Sequence, residues 1–213
     1  MLLLSIYDQI REKIITGAYK PGERLTEESL AHDFNTSRTP VREAVMQLQN
    51  EGLITPLKRG IKVKKYTKED VRKIYGLRIL LEGEMAQQAA IYRTEEHISL
   101  LKKANKEYQD LLEIFNEDKE IMKKTMLVNK DFHRALSDAA NNEYIGFLLS
   151  KVVIDPLVYQ SLYWYNKSRL EQSVIAHETI TKAIINRDGD RAKSAMLEHM
   201  YQGRETVLKF IGD

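Results

Sequence analysis

The chain has 213 residues, 43% hydrophobic and 30% charged, a composition that fits a folded soluble protein and excludes a disordered one. With no cysteine, disulfide scaffolds, thiolate metal sites and thiol nucleophiles are excluded as well. The formal net charge of +2 is nearly neutral but unevenly spread: residues 1–66 hold eleven Lys/Arg against eight Asp/Glu, and residues 67–213 hold twenty-two against twenty-three. The basic excess lies in 52–66, GLITPLKRGIKVKKY, where five positive residues meet no acid. A local basic patch on a neutral body suggests a polyanion contacted at one end.

The opening MLLLSIYDQI has no basic stretch before its apolar run and soon turns amphipathic. It reads neither as a signal peptide nor as a membrane span, so a cytoplasmic protein without membrane contact is expected. Ile6, Ile10 and Ile14 share one face of a helix from Leu4 to about Thr16. Gly17, Pro21 and Gly22 break it, and Thr26 is the expected N-cap of a short helix that buries Leu30, Ala31 and Phe34. A third helix starts at SRTPVREA with Ser37 as its expected cap. Its apolar stripe is Val41, Ala44, Val45 and Leu48, with Arg38, Thr39, Arg42 and Gln49 on the broadly opposite face.

Arginine at a helix N-terminus works against the helix dipole, so that end needs an anion outside the helix. A recognition helix in a DNA major groove supplies one: arginine pairs with guanine edges, while Ser37, Thr39 and the first-turn N–H groups suit phosphate oxygens. Residues 53–55 and 61–65 alternate around Lys58-Arg59-Gly60 and predict a two-stranded hairpin with a basic tip, suited to the minor groove or the backbone. Three helices and a hairpin make a winged helix-turn-helix over residues 1–66.

From residue 67 the periodicity is helical throughout, with helices expected near 68–92, 95–116, 118–139, 142–164, 168–187 and 189–211. Thr67 with Asp70 and Ser168 with Glu171 fit capping boxes, Thr94 is a further cap, and Pro156 is expected to kink the fourth of these helices. The fold class is therefore mainly α: an N-terminal winged helix-turn-helix, then an antiparallel six-helix bundle over 67–213.

His133 follows Asn129 by one helical turn, while His177 and His199 each lie about eleven residues from the Asp188-Gly189-Asp190 turn. In an antiparallel pair these last two imidazoles meet at a similar height. Three histidines and an amide oxygen can surround a divalent cation with positions left open, and ordinary core histidines are the alternative. His32 and His97 are read as ordinary. No motif places a carboxylate near the three histidines, and Glu178 points away from His177 around the helix. The Tyr163-Trp164-Tyr165 cluster either lines a pocket or packs at a helix end.

The stretch GAYKPGERLTEESLAHDFNTSRTPVREAVMQLQNEGLI, with the later RGIKV, resembles the winged-helix domain of the GntR family of bacterial transcription regulators. That resemblance implies DNA contacts from Arg38, Thr39, Arg42 and Gly60. Some relatives carry an arginine at the position of Glu28, and an acid cannot copy its DNA contact. The segments GLRILLEGEMAQQAA, NKDFHRALSDAANNEY and AHETITKAIINRDGDRAKSAMLEHM resemble the FCD ligand-sensing domain of the FadR subgroup, in its six-helix, VanR-like branch. It implies that Asn129, His133, His177 and His199 hold zinc, nickel or a similar ion, with Asn129 where others have aspartate.

The expectation is a homodimeric regulator, a repressor, that binds an inverted-repeat DNA operator and responds to a small carboxylate effector. Arg78 and Asn142 are expected at the effector pocket, with an Arg78–Glu82 ion pair as the alternative role for Arg78. Two rivals remain: a metal-dependent enzyme using the three-histidine centre, and a DNA-binding regulator whose bundle is a metal-free dimerisation module.

Overall fold

In the computed structural model, which describes residues 5–116, 118–153 and 166–211, the chain starts with a reciprocally capped helix. Ser5 accepts from the Asp8 backbone N–H while the Asp8 carboxylate takes the Ser5 N–H, and α1 (Ile6–Ile15) follows. The described residues fall into two compact units that divide between Thr67 and Lys68.

In the first unit Thr26 caps α2 (Glu27–Asp33), and Ser37 precedes α3 (Arg38–Asn50). The stripe Val41, Ala44, Val45 and Leu48 is buried against Ile10, Ile14 and Leu30 in one apolar core. Phe34 is only partly buried at its margin. Tyr7 and Arg11 of α1 both reach the Glu51 carboxylate just past α3, which ties the two helices at their ends.

The hairpin β2 (Ile54–Pro56) and β3 (Ile61–Val63) is not two-stranded as expected: β1 (Arg24–Leu25) pairs antiparallel with β3, giving the order β1-β3-β2. A two-residue strand is too short to leave a period in the sequence, and only its ladder to β3 reveals it. At the hairpin tip Gly60 takes φ +79°, and a Cβ there would run into the Leu25 carbonyl oxygen. The fold itself therefore demands glycine at this position.

The second unit contains α4 (Lys68–Tyr92), α5 (Glu95–Glu113), α6 (Lys119–Ala139), α7 (Glu143–Val152), α8 (Lys167–Ile185) and α9 (Gly189–Phe210). The fourth bundle helix is described only to Val152, so Pro156 and Tyr163-Trp164-Tyr165 lie outside the described residues. Helix α4 packs against α6, α7, α8 and α9. This central position explains why it buries polar Arg78 and Glu82 as well as Val71, Ile79, Met85 and Ala86. Gly83 makes room for α9, since a Cβ there would lie 2.9 Å from the Leu197 side chain.

Thr94 caps α5 as expected, with His97 as its reciprocal partner. Asn166, rather than Ser168, caps α8 and lets that helix begin one residue before the serine. The last connection runs over Asn186 and Arg187 to Asp188, which caps α9, so Gly189 is already helical. Among the described residues no helix is long and apolar enough to cross a membrane.

Candidate functional site

In the first unit Ser37, Arg38, Thr39, Arg42 and Gln49 are all exposed, on the side of α3 away from its buried stripe. The Ser37 side chain makes no capping hydrogen bond and the first turn of α3 holds no acid, in contrast to α1, α2 and α5. That end therefore keeps its positive dipole for an external anion. Lys58 and Arg59 are exposed at the hairpin tip, and Gly60 is half-buried beside them.

Sequence reasoning missed two features of this surface. Exposed Arg24 and Lys62 sit directly opposite each other in the β1–β3 ladder, extending the basic surface of the wing. Like charges in such a pair repel, which an adjacent polyanion relieves. The second feature is an ion pair, Arg38 Nη2 to Glu28 Oε1 at 3.0 Å.

In the second unit three helices bring three histidines together: His133 from α6, His177 from α8 and His199 from α9. One ring nitrogen from each lies within 4.8 Å of the others. The His177 and His199 ring centroids are 4.8 Å apart, so their equal distance from the α8–α9 connection does align them. Phe132 stacks on His177 at 3.8 Å between centroids and Tyr108 of α5 at 5.1 Å, which fixes the plane of that ring. Asn129 stands one turn before His133 on α6, half-buried.

Burial, reinforced by His199, His133 and Arg169, pushes the His177 imidazolium well below its ordinary range. Burial, with His133 and Arg169 next, brings His199 down to about 3. Both rings are therefore neutral, the form that binds metal. Neither nitrogen of His177 has a hydrogen-bond partner among the described residues, and neither does Nδ1 of His199. Buried polar nitrogens left this way are costly unless something else occupies them. Three imidazoles that bring one ring nitrogen each within 4.8 Å of the others fit a divalent ion of borderline softness.

Glu82 is the residue of this site that sequence reasoning missed. It is fully buried, and its Oε2 lies 2.8 Å from His133 Nδ1. The approach is close but off the ideal hydrogen-bond direction. Its Oε1 takes the Arg78 guanidinium at 2.8 Å from Nε and 2.7 Å from Nη2. Burial alone pushes this carboxyl up, but Arg78 and His133 together outweigh it and hold the group at about 2. The signal in the sequence was the Arg78–Glu82 spacing of one turn; the expectation that no carboxylate lies near the histidines is corrected.

Asn142 has a structural role: its Oδ1 accepts from the Ile145 N–H as the cap of α7, and its Nδ2 donates to Gln88 Oε1. Glu178 is exposed, as expected. His32 is exposed, and His97 belongs to the cap of α5.

Residues 2–62 match the model of the bacterial regulatory proteins of the gntR family, and residues 73–202 match that of the FCD domain. The chain belongs to the GntR family and carries an FCD domain. It is 31% identical to the HTH-type transcriptional regulator YdhC of Bacillus subtilis (strain 168), over 92% of this chain and 86% of that protein. It is 30% identical to the HTH-type transcriptional regulator LutR of the same organism, over 88% and 92%. The solved structure of E. coli McbR/YncC has the same fold, with a TM-score of 0.78 at 20% identity over 98% of this chain and 99% of the other. This GntR-family protein is thus a DNA-binding transcription regulator with a ligand-binding FCD domain, and its relatives are regulators rather than enzymes.

Proposed function

We propose that this regulator is a homodimeric repressor whose operator affinity is set by a small carboxylate metabolite bound at a divalent metal, zinc or nickel, in the FCD domain. The observation that carries the reading is the meeting of three histidines within one bundle, His177 and His199 buried and His133 partly so, with one ring nitrogen from each within 4.8 Å of the others. His133, His177 and His199 hold the ion, with Asn129 as a fourth ligand. When bound, the ion supplies two positive charges and open positions for an anionic oxygen. Neutral Asn129 leaves that charge less compensated than an aspartate does, which favours an anionic effector. Arg78 and Asn142 border the effector subsite. A 25% identical relative from Bacillus licheniformis is a gluconate operon transcriptional repressor, which supports an acid as effector class.

At the DNA, Arg38 and Arg42 read base edges, and Ser37 and Thr39 meet phosphates at the start of α3. Lys58, Arg59 and Gly60 place the wing against the neighbouring groove. Two copies read an inverted repeat. Effector control requires that the ligand bind the DNA-competent and DNA-incompetent states with different affinity.

The test uses full-length protein and an operator duplex selected from a random pool. Arg38→Ala with Arg42→Ala is expected to abolish selection and flatten the salt dependence; unchanged affinity and slope would overturn the DNA reading. Zinc-loaded protein is then titrated with a panel of small acids, gluconate included. If none changes operator affinity, the effector reading fails.

A further inference from the structure

Glu82 presents its two oxygens to two different partners. Both Arg78 contacts fall on Oε1, while Oε2 faces His133 Nδ1 at 2.8 Å. A carboxylate this deeply buried is costly unless each oxygen meets a donor or a cation. Arg78 accounts for one oxygen, and the His133 imidazole lies 2.8 Å from the other. A neutral imidazole carries one N–H and one lone pair. Although Oε2 lies off the hydrogen-bond direction, a carboxylate oxygen only 2.8 Å from Nδ1 repels electron density there, so the proton belongs on Nδ1 and the lone pair on Nε2. That is the tautomer in which His133 can ligate a cation through Nε2.

We propose that Glu82 is the positioning residue of the histidine cluster: it holds His133 as the Nδ1–H tautomer and supplies, behind the ligand, the negative charge that Asn129 lacks. The tautomer half rests on that 2.8 Å approach, and the charge half rests on the metal reading above. Partners that orient a ligating histidine in this way typically raise metal affinity about 10- to 100-fold. Glu82→Gln separates this role from mere neutralisation of Arg78. Its amide oxygen goes to the guanidinium, which leaves its NH2 facing His133 and favours a lone pair on Nδ1, the non-ligating tautomer.

The experiment takes full-length, 15N-labelled, chelator-treated protein and reads each histidine tautomer from long-range 1H–15N imidazole correlations, with His133→Gln for assignment. Wild-type His133 is expected as Nδ1–H, and as Nε2–H in Glu82→Gln. Zinc affinity, read by competition with a chromophoric chelator, is expected to fall about 10- to 100-fold in that variant. Asn129→Asp in the same background is expected to recover part of the loss, because it restores the charge. A wild-type His133 in the Nε2–H form would overturn the proposal, even if the variant misfolds. So would wild-type zinc affinity in a folded Glu82→Gln. Wild-type protein that shows Nδ1–H yet binds no zinc overturns the metal reading and the charge half, and leaves the tautomer assignment standing.

Discussion

Arg38 at the first position of α3 and Glu28 in α2 face each other across the helix-turn-helix, with Nη2 3.0 Å from Oε1. Both side chains are largely exposed, at 64% and 79%, so the pair adds little to folding. Its consequence lies in binding, because the acid competes with the DNA for the guanidinium and adds a negative charge beside the duplex. Glu28→Gln is expected to bind random-sequence duplex more tightly, with a salt slope steeper by about one phosphate contact. Its stability should stay within about 0.5 kcal/mol of wild type. Filter binding across a salt series checks this, and an unchanged slope removes Glu28 from any role at the interface.

The wing predicts a different signature. Lys58→Ala with Arg59→Ala is expected to weaken all duplexes about equally and lower the salt slope by about two. Arg42→Ala should instead lose about 1–3 kcal/mol on the selected operator and relax its sequence preference. Fluorescence anisotropy on matched and scrambled duplexes separates the two patterns. A wing variant that changes sequence preference would contradict the backbone assignment.

Gly60 couples wing and fold. With φ +79° and the Leu25 carbonyl in the path of a Cβ, Gly60→Ala is expected to cost at least about 1–3 kcal/mol. Thermal unfolding followed by circular dichroism measures it. Wild-type stability together with lost operator binding would mean that Gly60 matters for DNA contact rather than for the fold.

Acid sensitivity follows from the buried imidazoles. His177 and His199 are neutral in the metal-free fold, with values depressed from the ordinary 6.5, whereas in the unfolded chain they take up protons below 6.5. The unfolded state then binds more protons, so stability is full above pH 6.5 and falls as pH drops below it. The limiting loss is about 1.4 kcal/mol per pH unit for each histidine. Glu82 acts lower: its depressed value, about 2 against 4.5, adds stability that is present above pH 4.5 and lost toward pH 2. Urea melts of chelator-treated protein between pH 8 and 5 test the histidine window. A flat profile there would show that the two rings are not held neutral and buried.

Much of the fold was legible in the residues. The stripe of Val41, Ala44, Val45 and Leu48, the caps at Thr26 and Thr94, and the helical periods after residue 67 are local signals, set by turn geometry and by which positions repeat on one face. Even the meeting of His177 with His199 was readable, because two helices joined by a short turn bring positions equidistant from it to one height. What tertiary structure alone decided involves residues with no periodic relation: β1 beside β3, Glu28 beside Arg38, and above all Glu82 beside His133. Those contacts depend on how separate elements pack and turn about their axes. Local sequence fixes which face of a helix turns inward but not which residue of another element it meets there, and that is settled by fitting side chains together in the core.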